Sequence, residues 1–416
     1  MGEHPHRDLS QHHLPRVLIV DERPARHAAG GQDDVAQKWY EPTIVDSLAN
    51  AADTLAQTPF DAVAGHISSD HSESLAIPSM LLEMRRQGQI SKLPAVLWSS
   101  EPDDGIVASH LRLARHSGVC VEIVPDLDRD SARDSLLGLS TETADRVFAH
   151  AALRSAIGDQ DFLRALLSGQ DVRIVLQPQV ELTSGRIVGA EALARWKHPE
   201  LGDIPPSVFM PLANRSGLNV LLFHCVEAKV VALLHDMQRR GISVPVSVNA
   251  SADTLCTPDL VRRLEERLLG AGVDISQFKV ELTEDVPVRD VLSLSTALGR
   301  LRLRGFEVSI DDFGCGAATL DLLTKLPFSE LKIDGRFVRE MRRDPVCEAA
   351  VSSAISIGRV MGLKVVAEGL ESLDDVDALL GLGCDVGQGY ALSPPLEVPQ
   401  FIQALATFNQ DGHPMT

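Results

Sequence analysis

The chain lacks three features that would each have assigned it to a class. No apolar stretch approaches the roughly 20 residues needed to span a bilayer, and the polar N-terminus has no apolar core of a signal peptide. A cytoplasmic protein with no membrane span is therefore expected. Its six cysteines (Cys120, Cys225, Cys256, Cys315, Cys347 and Cys384) are scattered without a CxxC pair, so neither a disulfide framework nor a zinc cluster is indicated. Basic residues are also in deficit, 39 against 58 acidic, for a formal charge of −19. That balance opposes direct binding to DNA or RNA, which rests on neutralising phosphates. A small phosphodiester remains open as a ligand, because bound cations reverse the local field.

What is present is a series of short apolar runs in the second half, each ending on a polar residue. They are VSVNAS to Asn249, FKVELTE to Glu281, FEVSIDDFG to Asp311 and Asp312, ELKID to Lys332 and LKVVAEGLE to Glu368. Runs this short, rich in Val, Ile and Leu, read as parallel strands buried on both faces. The intervals from Asn249 to Glu281 to Asp311 are roughly 30 residues, one strand plus a crossover helix and its loops. In a parallel barrel such strand ends open on one face, so these side chains would converge. Taken singly, each could be no more than a solvated strand end. Taken together, carboxylates, an amide and a lysine make a set that suits hard divalent cations, with the adjacent Asp311 and Asp312 able to share two of them. Residue type and spacing alone reach to metal-assisted phosphoester hydrolysis on an α/β barrel.

Around Glu191-Ala192-Leu193, in VGAEALARWKHP, the chain resembles the EAL domain of bacterial cyclic di-GMP phosphodiesterases. The resemblance rests on an ordered set of motifs, from QPQ at Gln177 through EALARW, PPSVFMPLANRSG, SVNAS, ELTE, DDFG, LKIDGRFV and AEGLE to GQGYALSPPL, ending at Leu396. It implies that Glu191, Asn249, Glu281 and Asp311 are metal ligands, with Asp312 completing a second position for Mg²⁺ or Mn²⁺. It further implies that Lys332 orients the attacking water, that Glu368 lies beside the metals and that Gln388 closes the site. Gln177, Leu193 and Arg195 would contact cyclic di-GMP, Glu284 and Glu371 would support the site from behind, and the barrel would form a homodimer. Arg195 has a donor fork suited to phosphate oxygens, but a surface ion-pair role stays open. Lys332 likewise stays open to being a solvated lysine. Two positions depart from the family pattern. The loop after DDFG reads Cys315-Gly316-Ala317-Ala318-Thr319, without the usual aromatic and first serine, and Asn214 stands where Glu is common. Reduced or differently regulated hydrolysis is the reading of these changes, with a cyclic di-GMP receptor that does not turn over as the alternative.

The first part of the chain has another character. RVLIVDE, then FDAVAGH, KLPAVLWSS and VCVEIVP, follow at the spacing of a doubly wound α/β fold. This resembles a receiver domain of two-component response regulators, and the resemblance is incomplete in its chemistry. Asp21, Glu22 and Ser99 fit, but the acceptor aspartate is replaced by His66 and the lysine by Val124 before Pro125. Asp61 and Asp70 are not placed as acceptors. The implied role is a degenerate receiver that meets a signalling protein. The expected order is a disordered tail at 1–14, a flavodoxin-like receiver domain at 15–130, linker helices at 131–172 and a TIM-like (β/α) barrel at 173–408.

Overall fold

The computed structural model describes residues 14–21, 40–67, 73–99, 105–124, 153, 157–283, 290–314 and 319–411. The chain divides into two compact units, Met1–Ala149 and His150–Thr416.

In the first unit, five parallel strands lie in the order β2-β1-β3-β4-β5: β1 (Arg16–Val20), β2 (Glu41–Val45), β3 (Ala62–His66), β4 (Ala95–Ser99) and β5 (Val121–Val124). Successive strand residues face opposite ways, and both faces are apolar. Leu18, Val20, Val63, Val96 and Trp98 pack against the helices Leu48–Gln57 and Ile77–Arg86, while Val17, Ala62, Ala64 and Leu97 bury the other face. This is the doubly wound, flavodoxin-like sheet expected from the apolar runs. The strand not singled out in the sequence, β2, begins Glu41-Pro42 with both residues exposed. An edge strand tolerates proline, and its exposure removes the apolar signal.

The second unit is an eight-stranded barrel. Its strands are β6 (Val172–Glu181), β7 (Ile187–His198), β9 (Val246–Ser251), β10 (Phe278–Thr283), β11 (Glu307–Phe313), β12 (Glu330–Ile333), β13 (Lys364–Ala367) and β14 (Val386–Gly387). Two short strands, β8 (Gly202–Ile204) and β15 (Leu396–Glu397), flank it. Seven barrel strands run parallel, and β6 runs against its neighbours β7 and β14. The reversal has a local cause. Only 182–186 separate β6 from β7, enough for a hairpin turn through Gly185 (φ 70°) and too few for a crossover helix.

The helix Asp159–Ser168 belongs to the barrel's packing. Its Phe162 is fully buried, 4.8 Å from the Trp196 ring and 5.5 Å from Phe209. Residues 1–13 of the expected tail and the first part of the expected linker lie outside the described residues, as do Glu22, Asp70, Glu284, Cys315, Ala317 and Ala318. Among the described residues, no helix is long and apolar enough to cross a membrane.

Candidate active site

The β6–β7 hairpin builds one wall of the barrel mouth. Cross-strand partners share a face, so the pairs Gln179/Gly189, Gln177/Glu191, Val175/Leu193 and Arg173/Arg195 climb that wall from the floor to the rim. Beside it, β9 and β10 run in register with Asn249 opposite Glu281. Next comes β11, whose register with β12 shifts between Ile310 and Phe313, a bulge that spans both aspartates. Asp312 takes a left-handed backbone (φ 52°), a conformation aspartate tolerates better than most residues. Gly314 follows at φ 105°, where a Cβ would lie 2.8 Å from the Phe337 ring. The DDF segment therefore turns away tightly against Phe337 and leaves its two carboxylates at the mouth.

Lys332, projecting from β12, is fully buried at the centre of this arrangement. Its Nζ lies 3.1 Å from Glu191 Oε2, 2.6 Å from Glu368 Oε1 and 3.4 Å from Asp311 Oδ1, and it forms an ion pair with Glu281. The open alternative of a solvated lysine is thereby excluded. Burial works against its ammonium, but Glu191 and Glu368 outweigh burial and hold its pKa above the ordinary lysine value. Around this one cation the carboxylates are in surplus. Burial, then the charges of Glu368 and Glu191, push Asp311 well above the usual range. Burial and the neighbouring Asp334 and Glu368 push Asp312 up to about 7. Glu368 is also raised, by burial and by Glu191, against the opposing pull of Lys332. Glu191 is lowered instead, because Lys332, Gln388 and Asn249 together overcome its burial.

The donor set fits a metal ion. Carboxylate oxygens of Glu191, Glu281 and Glu368 lie within 4.8 Å of one another, as do those of Asp311, Asp312 and Glu368. Asn249 donates from Nδ2 to Glu191 Oε1 at 2.7 Å, which leaves its buried Oδ1 without a hydrogen-bond partner. A buried amide oxygen without a donor is costly in a protein interior. Beside carboxylates it is an oxygen donor of the kind that hard divalent cations take. An acidic cluster able to hold a metal is thus present; it contains Glu191, Glu281, Asp311, Asp312 and Glu368, and Asn249 lies against it through Glu191.

Gln388 closes the site from β14. It donates from Nε2 to Glu191 Oε2 at 2.7 Å and to Gln177 Oε1 at 3.3 Å, and accepts from Gln179 Nε2 at 3.2 Å. A Cβ on Gly389 would lie 2.2 Å from the Leu370 backbone nitrogen, so only glycine lets this segment pack against the AEGL loop and bring Gln388 inward. Gln179 was not singled out in the sequence, although its position two residues after Gln177 on a strand was the available signal. On the other side a cleft of about 250 Å³ is lined by Leu193, Arg195, Phe209, Met210, Asn214, Asn249, Asp311 and Asp312. Half-buried Arg195 donates only to the Ala194 carbonyl, at 2.8 Å among the described contacts, and Asn214 accepts from Asn219 Nδ2 at 2.6 Å. Glu371 is not brought into the cluster. It is 64 % exposed and sits 3.7 Å from Arg339 Nε.

Residues 159–395 match the model of the EAL domain. The chain is similar to the cyclic di-GMP phosphodiesterase PA2567 of Pseudomonas aeruginosa, 32 % identical over 233 residues, which cover 56 % of this chain and 40 % of that protein. To the cyclic di-GMP phosphodiesterase RocR of the same organism it is 27 % identical over 394 residues, 93 % of this chain and 97 % of that one. It thus spans less than half of the first relative and nearly all of the second. Among solved structures, a PaMucR phosphodiesterase in complex with c-di-GMP is 34 % identical with a TM-score of 0.55, covering 59 % of this chain and 100 % of that chain.

Proposed function

The chain belongs to the EAL domain family, and we propose on that footing that it hydrolyses cyclic di-GMP to linear pGpG. The observation that carries the proposal is the constellation around Lys332: five carboxylates and an unpartnered amide oxygen at one barrel mouth beside a cleft edged by Arg195. Glu191, Asn249, Glu281, Asp311 and Asp312 would hold two cations, Mg²⁺ or Mn²⁺, with Glu368 beside them. Such cations neutralise phosphodiester charge and lower the pKa of an attacking water.

The chain's own residues do the rest. Arg195 presents a guanidinium at the rim to a phosphate oxygen, and Leu193 and Gln177 bound the groove in which the dinucleotide lies. Gln388 keeps Glu191 turned inward by a hydrogen bond to Oε2. Lys332 is fixed by its carboxylate partners and donates to the water, holding it in line with the departing 3′ oxygen. Its raised pKa suits a donor rather than a general base. Glu284 and Glu371 are assigned supporting roles on the loops. Homodimerisation through the barrel and a signalling partner at the receiver-like unit complete the reading.

The test is incubation of the purified protein with cyclic di-GMP and Mg²⁺ or Mn²⁺, products being separated by chromatography. Metal-dependent appearance of pGpG is expected. Intact cyclic di-GMP after prolonged incubation with either ion refutes the assignment. Light scattering of the same sample reads the dimer.

A further inference from the structure

Beneath the catalytic charges lies a second ion pair that the reaction as described does not use. Lys279 and Glu330 are each 1 % exposed and meet at 2.5 Å between Nζ and Oε2, and the same Nζ lies 3.4 Å from Oε2 of the part-exposed Glu307 at the start of β11. Lys279 precedes Glu281 by two residues on β10, and Glu330 precedes Lys332 by two on β12. Residues two apart on a strand share a face. The inward face of β10 therefore reads positive then negative towards the mouth, and that of β12 reads negative then positive. Strands one apart around a barrel contribute to common interior layers. The Lys279–Glu330 and Glu281–Lys332 pairs are two such layers, of opposite polarity and about 6 to 7 Å apart along the strands. The strand between them, β11, offers the small, fully buried Ser309, whose hydroxyl has no hydrogen-bond partner. The other Glu330 oxygen, Oε1, is also buried without one.

The opposed polarity bears on a state in which the upper pair separates. A cation that takes Glu281 as a ligand draws a carboxylate from Lys332 and adds positive charge beside it. Glu330 below offsets that added charge, while Lys279 stays beneath the carboxylate that the cation has claimed. We infer that the Lys279–Glu330 pair positions Lys332 and Glu281 for the metal-loaded state. Both are positioning residues, since neither reaches the mouth. The inference rests on the metal-dependent reading given above.

Three variants of the full chain test it, with the melting temperature of metal-free protein, Mn²⁺ affinity by calorimetric titration, and kcat and KM for cyclic di-GMP as readouts. Glu330→Gln should weaken Mn²⁺ binding by about tenfold, the lower range for groups that support metal ligands. It should lower kcat more than it raises KM. Exchanging the pair, Lys279→Glu with Glu330→Lys, in a Glu307→Gln background that spares the new glutamate a like charge, keeps an ion pair of the same groups but inverts its polarity, so Mn²⁺ should bind more weakly still. The apolar double variant Lys279→Met/Glu330→Met, in the same Glu307→Gln background, removes the charges of the cluster, and buried pairs replaced in this way commonly keep their stability. It should melt near the unaltered protein yet bind Mn²⁺ less tightly. Unchanged Mn²⁺ affinity and unchanged kcat in the exchanged or apolar double variant overturns the inference and leaves the pair a packing element. If the unaltered protein binds Mn²⁺ without hydrolysing cyclic di-GMP, the substrate assignment fails, while the Mn²⁺ comparison among variants still decides this one.

Discussion

At the carboxyl end of the five-stranded sheet, His66 and Ser99 meet through one hydrogen bond of 3.0 Å. At the carboxyl end of the barrel strands, one lysine contacts four carboxylates. Both edges are what parallel α/β sheets provide, a row of strand ends opening on one side, where ligands of such folds bind. The backbone therefore does not separate them. At the first edge the acceptor and lysine positions of a receiver are His66 and Val124, and Asp61 lies at the opposite end of its strand, accepting from the Arg16 backbone at 2.9 Å. At the second edge the expected acidic residues converge and their charges are mutually dependent. Topology supplies a place for chemistry, and the residue types at the strand ends determine whether it is used.

The largest expected effect breaks the stronger half of this comparison. Glu191→Ala removes a carboxylate that touches Lys332, Asn249 and Gln388 at once. Turnover should fall by about 10³ or more, the scale of losing a group that acts as part of a unit. Residual hydrolysis near the native rate at limiting Mn²⁺ would make the barrel edge as inert as the other. Lys332→Ala comes next. Single-turnover rates should drop by about 10² while cyclic di-GMP affinity changes much less, the pattern of an interaction made mainly in the transition state. Its metal-free melting temperature should also fall, because buried carboxylates lose their cation. Added Mn²⁺ should restore it, and thermal scans with and without the ion check both claims.

A smaller loss is expected from Gly314→Ala, which places a Cβ against Phe337 at a positive φ. Local strain of about 1–3 kcal/mol should loosen the DDF segment and reduce turnover by about tenfold, with the metal requirement unchanged. A variant as active as the native protein would show that the aspartates are held by the bulge alone. The smallest effect sharpens the weaker half. His66→Asn should leave hydrolysis within about twofold, as for positions away from a site, and acyl-phosphate donors should not label the receiver-like unit. Phosphohistidine at His66, detected by its acid lability, would restore chemistry to the first edge.

The strands that carry the barrel site were legible because each is a short apolar run that stops on a polar residue, so periodicity and function gave the same boundary. The convergence of acidic residues at the mouth could be read for the same reason. The direction of β6 was less apparent. QPQ reads as a strand in either sense, and only the short turn at 182–186 excludes a parallel connection. The burial of Lys332 and of Lys279 also escaped a residue-by-residue reading, which sends lysine to solvent. Alternation in FKVELT puts Lys279 and Glu281 on one face, but whether that face is wet depends on barrel closure, a property of strands far apart in sequence. The left-handed Asp312 is a matter of the bulge, which no local pattern announces. Glu284 and the 315–318 loop lie outside the described residues, so the effect of the altered loop rests on the measurements above.

The antiparallel first strand also bears on how the protein is made. The β6–β7 hairpin is a local pairing that can form as soon as it is synthesised, whereas the other edge of β6 waits for Val386 and Gly387. Those residues follow roughly 200 positions later, about 10 to 40 s at ~5–20 residues per second of translation. Gln388, which turns Glu191 inward, arrives with them. A nascent chain thus carries Glu191 through roughly 200 further residues of synthesis without the partner that orients it, and the acidic mouth is assembled only as the barrel seals.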